Sequence, residues 1–287
     1  MVRMRFSIRL HYRIEGQPGD FVFNIHAAHT PRQTVVHENL QFRPYALPTV
    51  EADPVTGSRF VRLRAEPGDL EVRYDATVDI AHYLEEPDNA TEVAVARLPL
   101  SVLPYLYPSR YCQSDRLYAI ANAEFGRLRP GYGRVQAIND WVCKRTRFLS
   151  ASSNGSTSAI DTIESAVGVC RDFAHLMIAL CRALNIPARF VTGIDYGADP
   201  ALGPTDFHAY VEVWLGERWY LFDPTGAVPR TGLIRIGTGR DAADASFATI
   251  FGTVAFGAPM IAIEALDDPA GGYAAPQAFA GPLSTHG

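Results

Sequence analysis

From residue 6 the chain alternates apolar and polar positions. Phe6, Ile8, Leu10, Tyr12 and Ile14 fall on one side, and Ser7, Arg9, His11 and Arg13 on the other. A period of two is that of a half-buried strand. Gln17-Pro18-Gly19-Asp20 breaks the run before Phe21, Phe23 and Ile25. Alternation returns over 60–65 and most cleanly in Leu70, Val72, Tyr74, Ala76, Val78 and Ile80, with turns at 53–57 and 66–69. Several strands at this spacing predict an antiparallel β-sandwich over residues 1–98.

Near residue 98 the period changes. A proline-punctuated connector, 98–108, leads into helical spacing: Ser114 is placed to cap a helix running to about Phe125, and Val135, Ile138, Trp141 and Val142 form one face of a second helix. A polar loop over 150–157 precedes a third helix from Cys170, apolar through Leu184 and closed by Asn185 and Pro187. A strand over 188–194 follows, then a hairpin with arms 208–214 and 219–223. The tail holds one predicted strand, 260–265, and a Gly/Ala/Pro-rich end expected to be loose. The expectation is an α+β protein of two domains, 1–98 and 99–287.

Composition narrows the class. At 287 residues with 47% hydrophobic and 20% charged positions, the chain reads as globular. A net charge of −5 without a basic stripe argues against a nucleic-acid partner. No apolar run reaches the ~18 residues of a membrane span, and Met1–Arg9 lacks the apolar run of a signal peptide, so no membrane association and cytoplasmic residence are the default expectations. Cys112, Cys143, Cys170 and Cys181 contain no CxxC pair, so no zinc site is expected. His26, His29 and His37 lie on different segments and read as surface or turn histidines.

Cys170 is different from the other thiols because it stands where a helix begins. A thiol in a first helical turn feels the positive end of the helix dipole, which favours thiolate. The hairpin supplies its partners. If Trp214 faces Trp219, then His208 faces Thr225 and Asp223 faces Tyr210. His208 and Asp223 become diagonal neighbours on one face, roughly 7–8 Å apart at the backbone; a slip of one residue would part them. Cys, His and Asp so arranged can carry covalent thiol catalysis: Asp223 orients the imidazole, and His208 moves the proton. Three competing features read as structural. His175, about 140° around the helix from Cys170, should not face the thiol; Asp172 reads as a helix-dipole carboxylate; and Gly237-Thr238-Gly239-Arg240-Asp241 reads as a turn, since no Lys-Ser/Thr follows.

The segments 168–175 (GVCRDFAH), 186–193 (IPARFVTG), 207–213 (FHAYVEV) and 219–225 (WYLFDPT) resemble the bacterial transglutaminase-like family over roughly residues 100–257, and the first hundred residues are similar to the β-rich domain preceding that core. The resemblance implies a papain-like core, a Cys170-bearing helix packed on an antiparallel sheet that carries His208 and Asp223. It implies attack by Cys170 on a peptide or carboxamide carbonyl through a thioester, with a peptide or protein as substrate. The family includes peptidases, amidases, transglutaminases and silent binding modules. Hydrolysis is preferred over acyl transfer to an amine, because water needs no second site. Arg171 stands where many relatives have Gln, and Phe148 where many have Tyr. Animal members use calcium; no acidic calcium loop is present, and no cofactor or metal is expected.

Overall fold

The computed structural model describes residues 1–199 and 203–286. Strands β1 (Val2–Ile14), β2 (Gly19–Phe23), β3 (Gln33–Arg43), β4 (Thr49–Ala52), β5 (Arg59–Ala65), β6 (Gly68–Ile80) and the short β7 (Tyr83–Leu84) fill the first part of the chain. The alternation of β1 is that of its burial: Met4, Phe6, Ile8 and Leu10 are inside. β1 pairs with β6 along its whole length, from Val2 opposite Ile80 to Ile14 opposite Gly68. The inward rings of Phe6, Tyr12, Phe21, Phe23 and Tyr74 meet between the two sheets of a sandwich.

Helices α1 (Tyr118–Phe125) and α2 (Tyr132–Arg145), strand β8 (Arg147–Phe148), helix α3 (Ala159–Ser165), strand β9 (Val167–Gly168) and helix α4 (Cys170–Ala183) come next. Ser114 does not cap α1; it opens a separate 3-10 turn, Ser114–Arg116, and α1 begins after it. Strands β10 (Ala188–Asp195), β11 (Phe207–Leu215), β12 (Arg218–Phe222) and β13 (Leu233–Gly239) form an antiparallel sheet in the order β12-β11-β10-β13. Both of its faces are covered. Leu176, Met177 and Leu180 of α4 join Ala209, Val211 and Val213 in one core, while Ile194, Ile234 and Ile236 join the core of the N-terminal sandwich. Buried Gln33 stitches the halves together: its amide donates to the Arg235 carbonyl at 2.8 Å, and its oxygen accepts from the Arg235 N–H at 2.9 Å.

The far end of the chain departs from the expected division. Strands β14 (Ala248–Phe251), β15 (Val254–Phe256) and β16 (Met260–Ala265), expected to belong with residues 99–287, return to the N-terminal sheets: β14 pairs with β2, and β15 and β16 with β1. Without them the long outer edge of β1 would present a row of unpaired backbone groups. The end expected to be loose is also docked. Strand β17 (Leu283–Ser284) pairs with β7, Leu283 is fully buried, and the Arg230 guanidinium donates to the Gly281 carbonyl at 2.9 Å. One N-terminal histidine also departs from expectation. His26 is buried, its ring set edge-on to Tyr74 at 4.7 Å, and burial lowers its pKa to about 4. Among the described residues, no helix is long and apolar enough to cross a membrane.

Candidate active site

Cys170 is the first residue of α4. The Asp172 carboxylate, three residues beyond Val169, accepts the Val169 N–H at 2.9 Å, which ties the helix start to the extended residue before it. Gly168 permits this contact, because a Cβ there would stand 2.8 Å from the Asp172 Cβ. Cys170 is half-buried, and its Sγ packs 3.9 Å from the Phe207 carbonyl oxygen, one residue before His208. The other thiols lie in different surroundings. Cys112 and Cys181 are buried, and burial pushes Cys112 up to about 12 and raises Cys181 as well. Cys143 is half-buried and is raised by burial and then by the Asp223 charge.

The hairpin has the register its alternation predicts: Trp214 opposite Trp219, Val213 opposite Tyr220, Val211 opposite Phe222. The ladder ends there, and Asp223 and His208 meet just beyond it, with His208 Nε2 3.3 Å from Asp223 Oδ1. This is a charge contact off the N–H axis, since Nε2 makes no aligned hydrogen bond and Asp223 Oδ2 has none either. Thr225 fixes the carboxylate by donating to Oδ1 from its N–H at 3.1 Å and its hydroxyl at 2.8 Å. Burial by itself would lower the His208 pKa. The adjoining Asp223 carboxylate opposes that, aided by the nearby Cys170 thiol, and holds the imidazole well above its ordinary value. The structure thus brings Cys170, His208 and Asp223 to one place, with an imidazole that favours its charged form.

His175 is engaged elsewhere. Fully buried, it stacks on Tyr111 with ring centroids 5.0 Å apart, and its Nε2 accepts the Ala242 N–H at 3.1 Å. Burial and two nearby arginines keep it neutral. Arg171 turns away from the thiol, donating to the Asn154 carbonyl at 2.7 Å and the Ser153 hydroxyl at 3.1 Å. The segment 237–241 is only partly a turn: β13 runs through Gly239, and the turn follows, closed by Arg240 and Asp244 at 2.7 Å.

A cleft of about 900 Å³ opens over these groups. Cys170, Arg171 and Phe148 line one side and Asp195, Phe207 and His208 the other, while Ile263 of β16 brings the N-terminal sandwich to its wall. Phe207 and Phe247 stack at 4.3 Å within it. Two residues here are not given a role by the sequence: Thr225 stands there only as the position opposite His208, and Asp195 only as the residue after the strand 188–194.

Known proteins resemble both halves of the chain. Residues 119–224 match the core of the transglutaminase-like superfamily, and residues 2–101 match the N-terminal domain of bacterial transglutaminases. A crystal structure from Cytophaga hutchinsonii titled a "Putative Cysteine Protease" superposes with a TM-score of 0.91 at 39% identity, covering 99% of this chain and 97% of that one. An uncharacterized protein of Mycobacterium leprae is 29% identical over 144 residues, 48% of this chain and 51% of that protein. One from Mycobacterium tuberculosis is 33% identical over 142 residues, 46% of this chain and 45% of its own. The aligned part thus spans about half the length of these mycobacterial relatives. The chain belongs to the transglutaminase-like superfamily, in the bacterial form whose core follows a β-rich N-terminal domain.

Proposed function

We propose that this protein is a cysteine-dependent acyl-transfer enzyme that hydrolyses a peptide or carboxamide bond. The observation that carries this reading is the placement of Cys170 at the first turn of α4, against the strand end where His208 sits 3.3 Å from Asp223. Cys170 is the nucleophile, His208 the acid and base, and Asp223 the group that orients and charges the ring. The Cys170 sulfur bonds to the carbonyl carbon. As the C–N bond breaks, His208 gives its proton to the leaving amine. Water then attacks the thioester and passes a proton to His208, which releases the acid and frees the sulfur. The Cys170 N–H, one of those a helix leaves unpaired at its start, is placed to donate to the developing oxyanion.

Intact-mass spectrometry with a panel of glutamine-containing peptides, with and without a primary amine, tests the reading. The expected result is an acyl-enzyme on Cys170 that resolves to hydrolysed product and is missing from Cys170→Ala. Incorporation of the amine would make the acceptor an amine rather than water. No adduct and no product across the panel would leave a peptide-binding module.

A further inference from the structure

Beside His208 the cleft holds a carboxylate for which the proposed reaction has no role. Asp195 ends β10, just past the Ile194–Phe207 pair that closes the ladder, two residues on from Gly193, which stands opposite His208; Asp206, next before Phe207, is near enough for its charge to act on it. His208 is then its diagonal neighbour on the same face. Asp195 is only 6% exposed, yet it lines the cleft. Among the described residues no other side chain donates a hydrogen bond to its carboxylate; burial raises its pKa, and the His208 charge nearby opposes this. A buried carboxylate is ordinarily held by a direct partner; the nearby imidazolium is already in contact with Asp223 at 3.3 Å, so Asp195 at the cleft wall has room for a cation that arrives from outside.

The charge balance of the cleft gives the sign of that partner. The His208 imidazolium supplies one positive charge. Arg171, on the opposite side, is 3.3 Å from Asp172 and is offset by it. Asp223, Asp195 and, at the mouth, Asp206 then leave this end of the cleft negative. Beside them, the stacked Phe207 and Phe247 rings offer an apolar wall on which the aliphatic stem of a long cationic side chain can lie. Among the described residues, no group of three or more His, Cys, Asp or Glu is placed to hold a metal ion, which favours an organic cation.

We infer that Asp195, supported by Asp206, is a specificity-determining residue that binds the ammonium or guanidinium of a substrate whose positive charge lies next to the carbonyl attacked by Cys170. The inference deepens the proposed function and rests on it. The substrate class is a peptide with Lys, Arg or a free α-ammonium beside the reacting bond.

The test compares N-acetyl-lysine amide with N-acetyl-norleucine amide, which has a methyl group in place of the terminal ammonium. Each is titrated against the rate at which neutral iodoacetamide alkylates Cys170, and binding to Cys170→Ala is measured in parallel by calorimetry. The lysine compound is expected to protect Cys170 saturably and to bind at least about tenfold more tightly than norleucine, as befits a charge-assisted hydrogen bond. Asp195→Asn, with its fold checked by thermal melting, should erase the difference; Asp206→Asn should reduce it less. Asp195→Ser serves if the asparagine weakens the strand. Equal binding of the two amides to the wild type, or a lysine preference that survives loss of the Asp195 charge, overturns the inference. A failure of the catalytic reading would look different: Cys170 would alkylate no faster than the other thiols, while calorimetry would still report on the subsite.

Discussion

Two opposing effects act on His208. Burial favours the neutral ring, and the adjoining Asp223 charge outweighs it, so the imidazolium persists above the ordinary histidine range. Its contribution to folding stability is fully present below about pH 6.5 and is lost as pH rises through the raised value. The leaving amine takes its proton from this imidazolium, so activity should fall on the alkaline side only as His208 loses its charge. Asp223→Asn removes the main cause of the raised pKa; the alkaline limb of kcat/KM should move to lower pH, with residual activity remaining. An unmoved limb would detach Asp223 from the imidazole. Cys170→Ala should abolish turnover with little change in melting temperature, because a half-buried sulfur leaves no large cavity. Residual turnover above the uncatalysed rate in that variant would place the nucleophile elsewhere. The position of Cys170, His208 and Asp223 was legible because helix capping and strand alternation are local signals. Asp195 was not, since burial of a strand-end carboxylate depends on what packs over it. The same limit hid His26, one of three histidines with no periodic context.

The site is held by the end of one helix and the ends of two neighbouring strands. The hairpin register could be read in advance because Trp214 and Trp219 bracket a short turn and a one-residue slip would invert every face. β10, between the hairpin and β13, sets the depth of the site. Gly193 lies opposite His208 on one side and Arg235 on the other, where the β10–β13 register shifts. A Cβ at Gly193 would lie 2.3 Å from the Ile234 carbonyl oxygen, a backbone atom that cannot turn aside. Gly193→Ala should therefore force β13 away and destabilise the protein by about 1–3 kcal/mol or more, as overpacking does. Denaturant melts would show it, and an unchanged midpoint would mean the sheet yields more easily than its packing implies. At the helix start, Asp172→Ala should lose about 1 kcal/mol of capping and lower the rate of Cys170 alkylation.

At the level of the whole molecule, sandwich and core form one interlocked body. The alternation over 260–265 announced a strand but not its partner, because β1 lies more than two hundred residues earlier in the chain. The docking of Leu283 was equally hidden, since a Gly/Ala/Pro-rich stretch carries no period. Ending the chain after Phe247 should bare the edge of β1 and one wall of the cleft, and the product should aggregate; a soluble, fully active truncated protein would contradict the interlocking. Acid acts on the sandwich through His26. Its pKa falls from an ordinary 6.5 to about 4 because burial, and then Arg59, disfavour its charge. Stability should therefore decline as pH drops from about 6.5 toward 4, by about 3 kcal/mol from this residue, and His26→Gln should flatten the decline.

The central claim is that Cys170 is an activated nucleophile rather than a buried thiol at a helix end. Iodoacetamide labelling at pH 6, followed residue by residue by mass spectrometry, tests it most directly. The account predicts that Cys170 is alkylated well before Cys112, Cys143 and Cys181, and that His208→Ala slows it toward their rate. Equal, slow labelling of all four cysteines would contradict the claim.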